Sequence, residues 1–322
     1  MGKVAKINHA ADLAAAVLRS YEGREDWRRY HLGASVIGHK CDRYVWLSHR
    51  WAADPKHPGR MLRLFERGKR EEPWIVEDLR RVGVEVNADD GGAQFRADLP
   101  GHLGGSVDGV LPNGIPGDER PMILECKTHS AKSFARLVNK GVKAAKPEHW
   151  SQVQVYMHGR PEKATLYVAA CKGTDDLHMV VIDYDEAKAA DIVQRGHVLS
   201  VADAAPEKLD PDQPPCVLTS IDGTRWPCQY FELCHGKQTP DKSCRTCTSV
   251  TAMPDGGWHC DVYNFGPCGA DQREGCREWC PNPTAINADV VAVGDRTITV
   301  QFADGEQMRL PPDETPADIP QD

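Results

Sequence analysis

The apolar positions change period along the chain, and the changes mark its elements. Residues 9–21 (HAADLAAAVLRSY) are rich in Ala and Leu and predict a helix. Residues 41–51 (CDRYVWLSHRW) predict a second, entered from the turn-like GASVIG. Over 60–82, Leu62, Phe65, Ile75, Leu79 and Val82 recur at helical spacing, with Gly68 and Pro73 placed to kink or divide the helix. Short extended runs follow: VGVEV at 82–86, AQFRA at 93–97, GGSVDGV at 104–110 and MILECK at 122–127, each bounded by Gly, Pro or Asn-Gly. Helical patterns return at 130–143 and 147–158, strands at 164–171 and 177–184, and a helix at 185–204. This alternation predicts an α/β core with a central mixed sheet flanked by helices. Near the end, residues 289–310 read as a β-hairpin or small sheet turning at Gly294-Asp295 and Asp304-Gly305.

Composition adds boundaries. The chain has 322 residues, 40% of them hydrophobic, enough for a substantial core. It has 12 cysteines, of which nine fall between Cys216 and Cys280. Pro and Asp concentrate in 205–227. The expected organisation is a main domain over 1–204, a linker over 205–227, a Cys-rich module over 228–285, a small β segment over 286–310, and a disordered acidic tail over 311–322. No secretory pattern opens the chain and no apolar run is long enough to span a membrane, so a cytoplasmic protein is expected, with metal rather than disulfides as the use of its thiols. The net charge of −8 excludes a uniformly basic nucleic-acid coat but not a local basic groove.

Chemistry gathers on two of the strands. Asp108 lies in GGSVDGV, and Glu125 and Lys127 lie in ILECKT. Residues two apart on a strand share a face, so Glu125 and Lys127 project together while Cys126 points into the core. If the strands pair, Asp108 faces Glu125. Two close carboxylates make a hard-oxygen site for Mg²⁺ or Mn²⁺. A lysine beside them suits phosphodiester hydrolysis, in which the metal polarises the phosphate and the lysine orients water or stabilises charge. Upstream, Glu72 stands on a helix just before Pro73. Downstream, Gln152 and Tyr156 share a helix face at i and i+4.

In this order the residues resemble the PD-(D/E)XK nuclease superfamily, and more closely the phage and RecB-type exonucleases that include lambda exonuclease. The resemblance spans roughly residues 30–185. It implies a restriction-endonuclease-like core that hydrolyses DNA from its ends, in recombination, replication or repair. Asp108 and Glu125 would be ligands of Mg²⁺ or Mn²⁺, with the Cys126 carbonyl contributing. Glu72 would be an outer or second-metal ligand, with Glu71 the neighbouring alternative. Lys127 would activate water or stabilise charge. Gln152, with Gln154 as its competitor, would hold the lysine or the DNA beside Tyr156. HLGASVIGHKCDR resembles the segment that opens many of these exonucleases and offers Ser35 and Arg43 to a terminal phosphate. A bacterial or phage-infected cell is the implied setting. The implied partners are DNA, a single-strand annealing or single-strand-binding protein, and a second copy of the chain. A non-catalytic DNA-binding or scaffold protein with a degenerate core, and a structure-selective endonuclease, are the competing readings.

Charge agrees with a nucleic-acid partner. Between Lys127 and Lys146 there are six Lys or Arg, among them Lys132, Arg136, Lys140 and Lys143, and no acid. Residues 60–70 add Arg60, Arg63, Arg67, Lys69 and Arg70.

The cysteines suggest two further sites. Cys244 and Cys247 form a C-x₂-C knuckle followed by Cys260 and Cys276, the spacing of a structural zinc ribbon, with Cys280, Cys268 or His259 as alternatives for the last ligand. Some RecB-type nucleases hold a 4Fe-4S cluster by one early and three late cysteines. By that resemblance Cys41, Cys228 and Cys234 are candidates, with Cys216 as a fourth.

Overall fold

The computed structural model describes residues 10–22, 29–54, 56–88, 95–219, 223 and 225–311. The expected tail lies almost wholly outside them, as does part of the 93–97 run. The chain forms two compact units, neither continuous in sequence: one of residues 1–29, 55–99 and 104–192, the other of 30–54, 100–103 and 193–322. Residues 30–54, grouped above with the main domain, thus cluster with the Cys-rich segment.

The first unit is a mixed α/β assembly. Its sheet runs Asn87–Ala88, Gly109–Leu111, Met122–His129, Ala164–Cys171, Leu177–Asp183, and only the pairing of Met122–His129 with Ala164–Cys171 is parallel. The strand Ala164–Cys171 is buried at every residue, as a strand covered on both faces must be. One face packs Leu124, Cys126, Leu166, Val168 and Ala170 against Ile75, Val76 and Leu79 of the helix Gly59–Arg81.

That helix runs unbroken for 23 residues through Gly68 and Pro73, where a break was expected. Pro73 is exposed, so the Lys69 carbonyl that loses its partner lies on the solvent side, and the buried residues beyond it hold the helix in line. Gly68 has a separate role: a Cβ added there would stand 3.6 Å from Thr128 Oγ1, so the helix crosses close over the central strand.

The expected strand at 82–86 is absent. Gly83 has φ +87°, its N–H reaches the Arg80 carbonyl, and the Val84 N–H reaches back to Leu79. These bonds close the helix with a left-handed glycine and delay the strand to Asn87. Likewise, GGSVDGV supplies a ladder strand to this sheet only at Gly109–Leu111. The helices Ala131–Ala145, turned at Gly141 (φ 72°), and Pro147–His158 connect the two parallel strands.

In the second unit, Trp46 and Leu47 of the helix Asp42–His49 pack with Tyr230, Leu233 and Ala285. Arg195 pairs with Asp42 and donates to the Ile37 and His39 carbonyls. Within 205–227, Val217–Thr219 pairs with Arg225–Pro227. Residues 289–310 form a three-stranded meander over a core of Cys280, Ile286, Ile298, Val300, Phe302 and Leu310. Among the described residues no helix is long and apolar enough to cross a membrane.

Candidate active site

The central strand Met122–His129 sets the site. Its pairing with Gly109–Leu111 ends at Leu124, so beyond that residue this edge is open. Asp108, one residue outside the ladder, turns its carboxylate onto the open edge, where Oδ2 accepts the Cys126 N–H at 2.8 Å. In a strand the N–H and C=O of one residue face the same neighbour, so the Cys126 carbonyl looks toward Asp108, while its side chain is in the core.

Glu125 and Lys127 project together from the other side of the pleat and form an ion pair. Glu125 is 1% exposed, and apart from that pair neither carboxylate oxygen has a hydrogen-bond partner. Burial, then the charges of Asp108 and Glu72, push its carboxyl up to about 8 against the pull of Lys127. Asp108 is also pushed up by burial, with Lys127 and the Cys126 N–H opposing. Glu72 reaches about 7 through burial and the Asp108 charge, less the effect of Lys127 and Lys69. Burial alone would lower the Lys127 ammonium, but the charges of Glu125 and Asp108 override it and hold the proton firmly. Three carboxyls therefore crowd one ammonium in a site that water reaches poorly.

The structure separates the neighbouring alternatives. Glu72 shares electrostatic contact with Asp108 and Lys127, whereas Glu71 acts on Lys172. Gln152 donates to Tyr156 Oη at 2.7 Å, and Tyr156, 4% exposed, is held protonated by burial and the Glu125 charge. Gln154 instead donates to the Asp183 carbonyl at 2.9 Å and accepts from the Asp185 N–H at 2.8 Å, which ties the helix to the end of the edge strand.

A chain of groups that sequence reasoning missed continues from Lys127. His129 Nδ1 lies 3.1 Å from Ser133 Oγ and its Nε2 3.2 Å from Tyr167 Oη, and Tyr167 Oη lies 2.7 Å from His149 Nδ1. Burial first, then surrounding lysines, lower His129 to about 4 and His149 to about 3, so both are neutral near pH 7. The alternation that paired Glu125 with Lys127 extends to His129, and His149 lies at i and i+7 with Tyr156.

Lys132, Arg136, Lys140 and Lys143 are exposed along the helix that follows the central strand, and Lys143 stacks over Trp150 at 4.2 Å. Arg60, Arg63, Arg67, Lys69 and Arg70 are exposed on the helix Gly59–Arg81. Ser35 and Arg43 belong to the second unit. Ser35 is exposed, but Arg43 is 4% exposed and donates to the Pro206 and Thr284 carbonyls at 2.9 and 2.8 Å, which commits its guanidinium to the protein.

With side chains as placed, no group of three or more His, Cys, Asp or Glu among the described residues is set to hold a metal ion. In the carboxylate cluster, the Lys127 ammonium sits against Glu125 where a cation would. The buried Glu125 carboxylate, partnered only by Lys127 among the described residues, and three acids with raised affinity for protons fit a divalent cation. In the second unit, Cys41, Cys216, Cys228 and Cys234 line one cavity with Arg43 and Lys208. Burial and the other three sulfurs raise the Cys228 thiol to about 11. Cys234 is raised by burial and eased by Arg43. Two buried and two half-buried thiols beside two cations fit a negatively charged cluster.

No family model and no curated protein matches the chain. Among solved structures, it is similar to an alkaline exonuclease from Laribacter hongkongensis (LHK-Exo), at 17% identity and TM-score 0.40, over 56% of this chain and 90% of that one. The same enzyme in complex with dAMP matches at 17% identity and TM-score 0.40, over 53% and 87%. The protein SSO0001 matches at 12% identity and TM-score 0.38, over 58% and 85%.

Proposed function

We propose that the chain is a Mg²⁺- or Mn²⁺-dependent deoxyribonuclease that hydrolyses DNA from its ends, in recombination, replication or repair. The observation that carries this reading is the Glu125 carboxylate. It is fully buried, has the Lys127 ammonium as its one donor among the described residues, and is crowded by Asp108 and Glu72 against that lysine. A cluster kept only for stability would be expected to replace such a carboxylate with an apolar or hydrogen-bonded group.

Asp108, Glu125 and the Cys126 carbonyl would hold the cation, with Glu72 completing its outer side. A divalent ion bound there supplies Lewis acidity, polarising the phosphate and making water easier to deprotonate. With Glu125 given to the cation, Lys127 would offer its ammonium to the charge that develops on the scissile phosphate. Tyr156, fixed by Gln152, walls the site, and neutral His149 and His129 add no competing positive charge behind Lys127. Arg60, Arg63, Arg67, Lys69 and Arg70 on one helix and Lys132, Arg136, Lys140 and Lys143 on another give the first unit exposed cations for the phosphate backbone, despite the chain's net charge of −8.

For Cys41, Cys216, Cys228 and Cys234 the group of matching chemistry is a 4Fe-4S cluster, which takes four thiolates and would tie residues 30–54 to the late cysteines. A brown chromophore lost on replacing Cys228 and Cys234 with Ser tests it.

The test of the nuclease reading is incubation with end-labelled linear DNA and covalently closed circular DNA, with Mg²⁺, Mn²⁺ or EDTA. Cleavage of linear DNA only, abolished by EDTA, is expected. Cutting of circles would make it an endonuclease, and binding without cleavage in either metal would make it a non-catalytic DNA-binding protein.

A further inference from the structure

We propose that Cys244, Cys247, Cys260 and Cys276 form a structural zinc site, independent of the catalytic chemistry. Cys244 opens a single 3₁₀ turn, Cys244–Thr246, and Cys247 follows it. Ser243 and Thr246 cap that turn reciprocally. Cys260 ends the strand Trp258–Cys260, which pairs with Val250–Ala252 so that Val250 stands opposite Cys260. Cys276 follows Gly275, whose φ of +63° turns the chain back after the helix Gly269–Glu274. Three separate stretches of backbone thus deliver four thiols to one cavity, closed by Val250, Val262 and Trp279.

The thiols are not joined in disulfides. Burial first, then Cys276, Cys247 and Cys260, push the Cys244 thiol up to about 11. As placed, Cys244 Sγ donates to the Asp271 carbonyl at 3.3 Å, the contact of a protonated thiol. Since no three of these thiols are set to hold an ion as placed, loading requires side-chain rotation at more than one of them. The other cysteines and the histidine do not compete. Cys280, although it neighbours Cys247, packs into the core of the 289–310 meander and does not line this cavity, Cys268 is exposed at the start of the short helix, and His259, adjacent to Cys260 on its strand, reaches toward Asp261.

The packing leaves a role for a metal. Apart from Cys247 and Cys260, the buried apolar cluster here is only Val250, Ala252, Trp258 and Trp279. Arg50 and Arg245 tie its edge to the rest of the unit through the Val250 and His49 carbonyls, which leaves the cysteine-lined end to be stapled by the metal. Free thiols are weak donors and acceptors and do not supply such a staple. Zinc suits the set: a C-x₂-C pair plus two further sulfurs, tetrahedral, with Zn–S bonds of about 2.3 Å. Loading exchanges four S–H protons for one Zn²⁺ and leaves a site of net charge −2, with no change of oxidation state.

The test uses the full chain, and its readouts do not depend on cleavage. Elemental analysis of purified protein should find about one zinc per chain. A mercurial reagent should release that zinc as four thiols react. The paired replacement Cys247→Ser/Cys276→Ser should lose the zinc, whereas Cys228→Ser/Cys234→Ser should keep it. Because the first variant can fail to fold, Co²⁺ exchanged into the wild-type protein gives a second readout, the visible bands of tetrahedral thiolate cobalt. Absence of zinc, iron in its place, disulfides among these four residues by mass analysis, or zinc retained in Cys247→Ser/Cys276→Ser would overturn the proposal.

Discussion

Raising the pH from 6.5 to 8 in the presence of a chelator should destabilise this protein relative to its Glu125→Gln variant, and a divalent cation should reverse that relative loss. Glu125 titrates near 8 in the folded chain, against 4.5 for an ordinary glutamate. Across that window the unfolded chain has already lost this proton, while the folded chain still holds most of it. The folded state therefore binds more protons, and stability falls as pH rises, by at most about 1.4 kcal/mol per pH unit for one group. From pH 6.5 to 8 Glu125 accounts for about 1.5–2 kcal/mol. Glu72, raised to about 7, adds a smaller, solvent-screened decrement of the same sign. Buried His49, His102, His129 and His149 are all pushed below the usual histidine range, so the folded chain holds them neutral while the unfolded chain is still losing their protons above pH 6.5, and together they offset the Glu125 loss by about 1.6 kcal/mol between pH 6.5 and 8. Their opposite slope is steepest below pH 6.5, where acid destabilises the fold, and the Glu125 loss therefore shows in the difference from a Glu125→Gln variant, not in the wild-type curve alone. Lys127 stays charged throughout. For a unit of this size the Glu125 loss corresponds to roughly 3–8 °C in Tm. The assay is thermal unfolding in EDTA at several pH values for the wild type and Glu125→Gln, whose difference cancels the thiols and histidines common to both. The wild type should fall relative to the variant as pH rises, and Mn²⁺ should abolish the fall. Parallel curves, or a fall that Mn²⁺ leaves intact, would refute the reasoning.

Lys127→Ala and Asp108→Asn should each slow DNA cleavage by at least about 10²-fold while leaving DNA affinity within a few-fold, and near-normal turnover in either would remove that residue from the chemistry. Binding to DNA should weaken steeply with salt, by roughly 0.7–0.9 log units per log unit of salt for each phosphate neutralised. Reversing Lys132, Arg136, Lys140 and Lys143 to Glu should weaken binding and flatten that slope, as read by fluorescence anisotropy across a salt series. Unchanged affinity would show that DNA passes elsewhere.

The central strand was readable from the sequence because one period governs it: Glu125 and Lys127 alternate with apolar neighbours, and their pairing follows. The same alternation reaches His129, which shares that face, although its hydrogen bonds to Tyr167 and Ser133 depend on elements distant in sequence. Glu71 and Glu72 differ by about 100° around a helix, and pattern alone cannot say which one meets Asp108 when both flank the apolar stripe. The expected strand at 82–86 failed because a left-handed glycine closes the helix there, a local choice that outweighs the β-propensity of Val82, Val84 and Val86. Pro73 did not break its helix because its face is solvent. The grouping of residues 30–54 with the late cysteines was legible only through Cys41, since nothing in an amphipathic pattern names the surface it will cover.

The most direct test of the central claim is Mn²⁺ binding to the protein without DNA, followed by the loss of the free-ion signal in electron paramagnetic resonance. Mn²⁺ is suited to oxygen ligands and gives a signal that the thiol sites do not. Wild-type protein should take up Mn²⁺, more tightly at pH 8 than at pH 6.5 because the cation displaces protons from Glu125 and Glu72, and both Asp108→Asn and Glu125→Gln should abolish the uptake. Equal Mn²⁺ binding by the wild type and both variants, or none by the wild type at pH 8, would contradict the assignment of this cluster as a metal-dependent catalytic site.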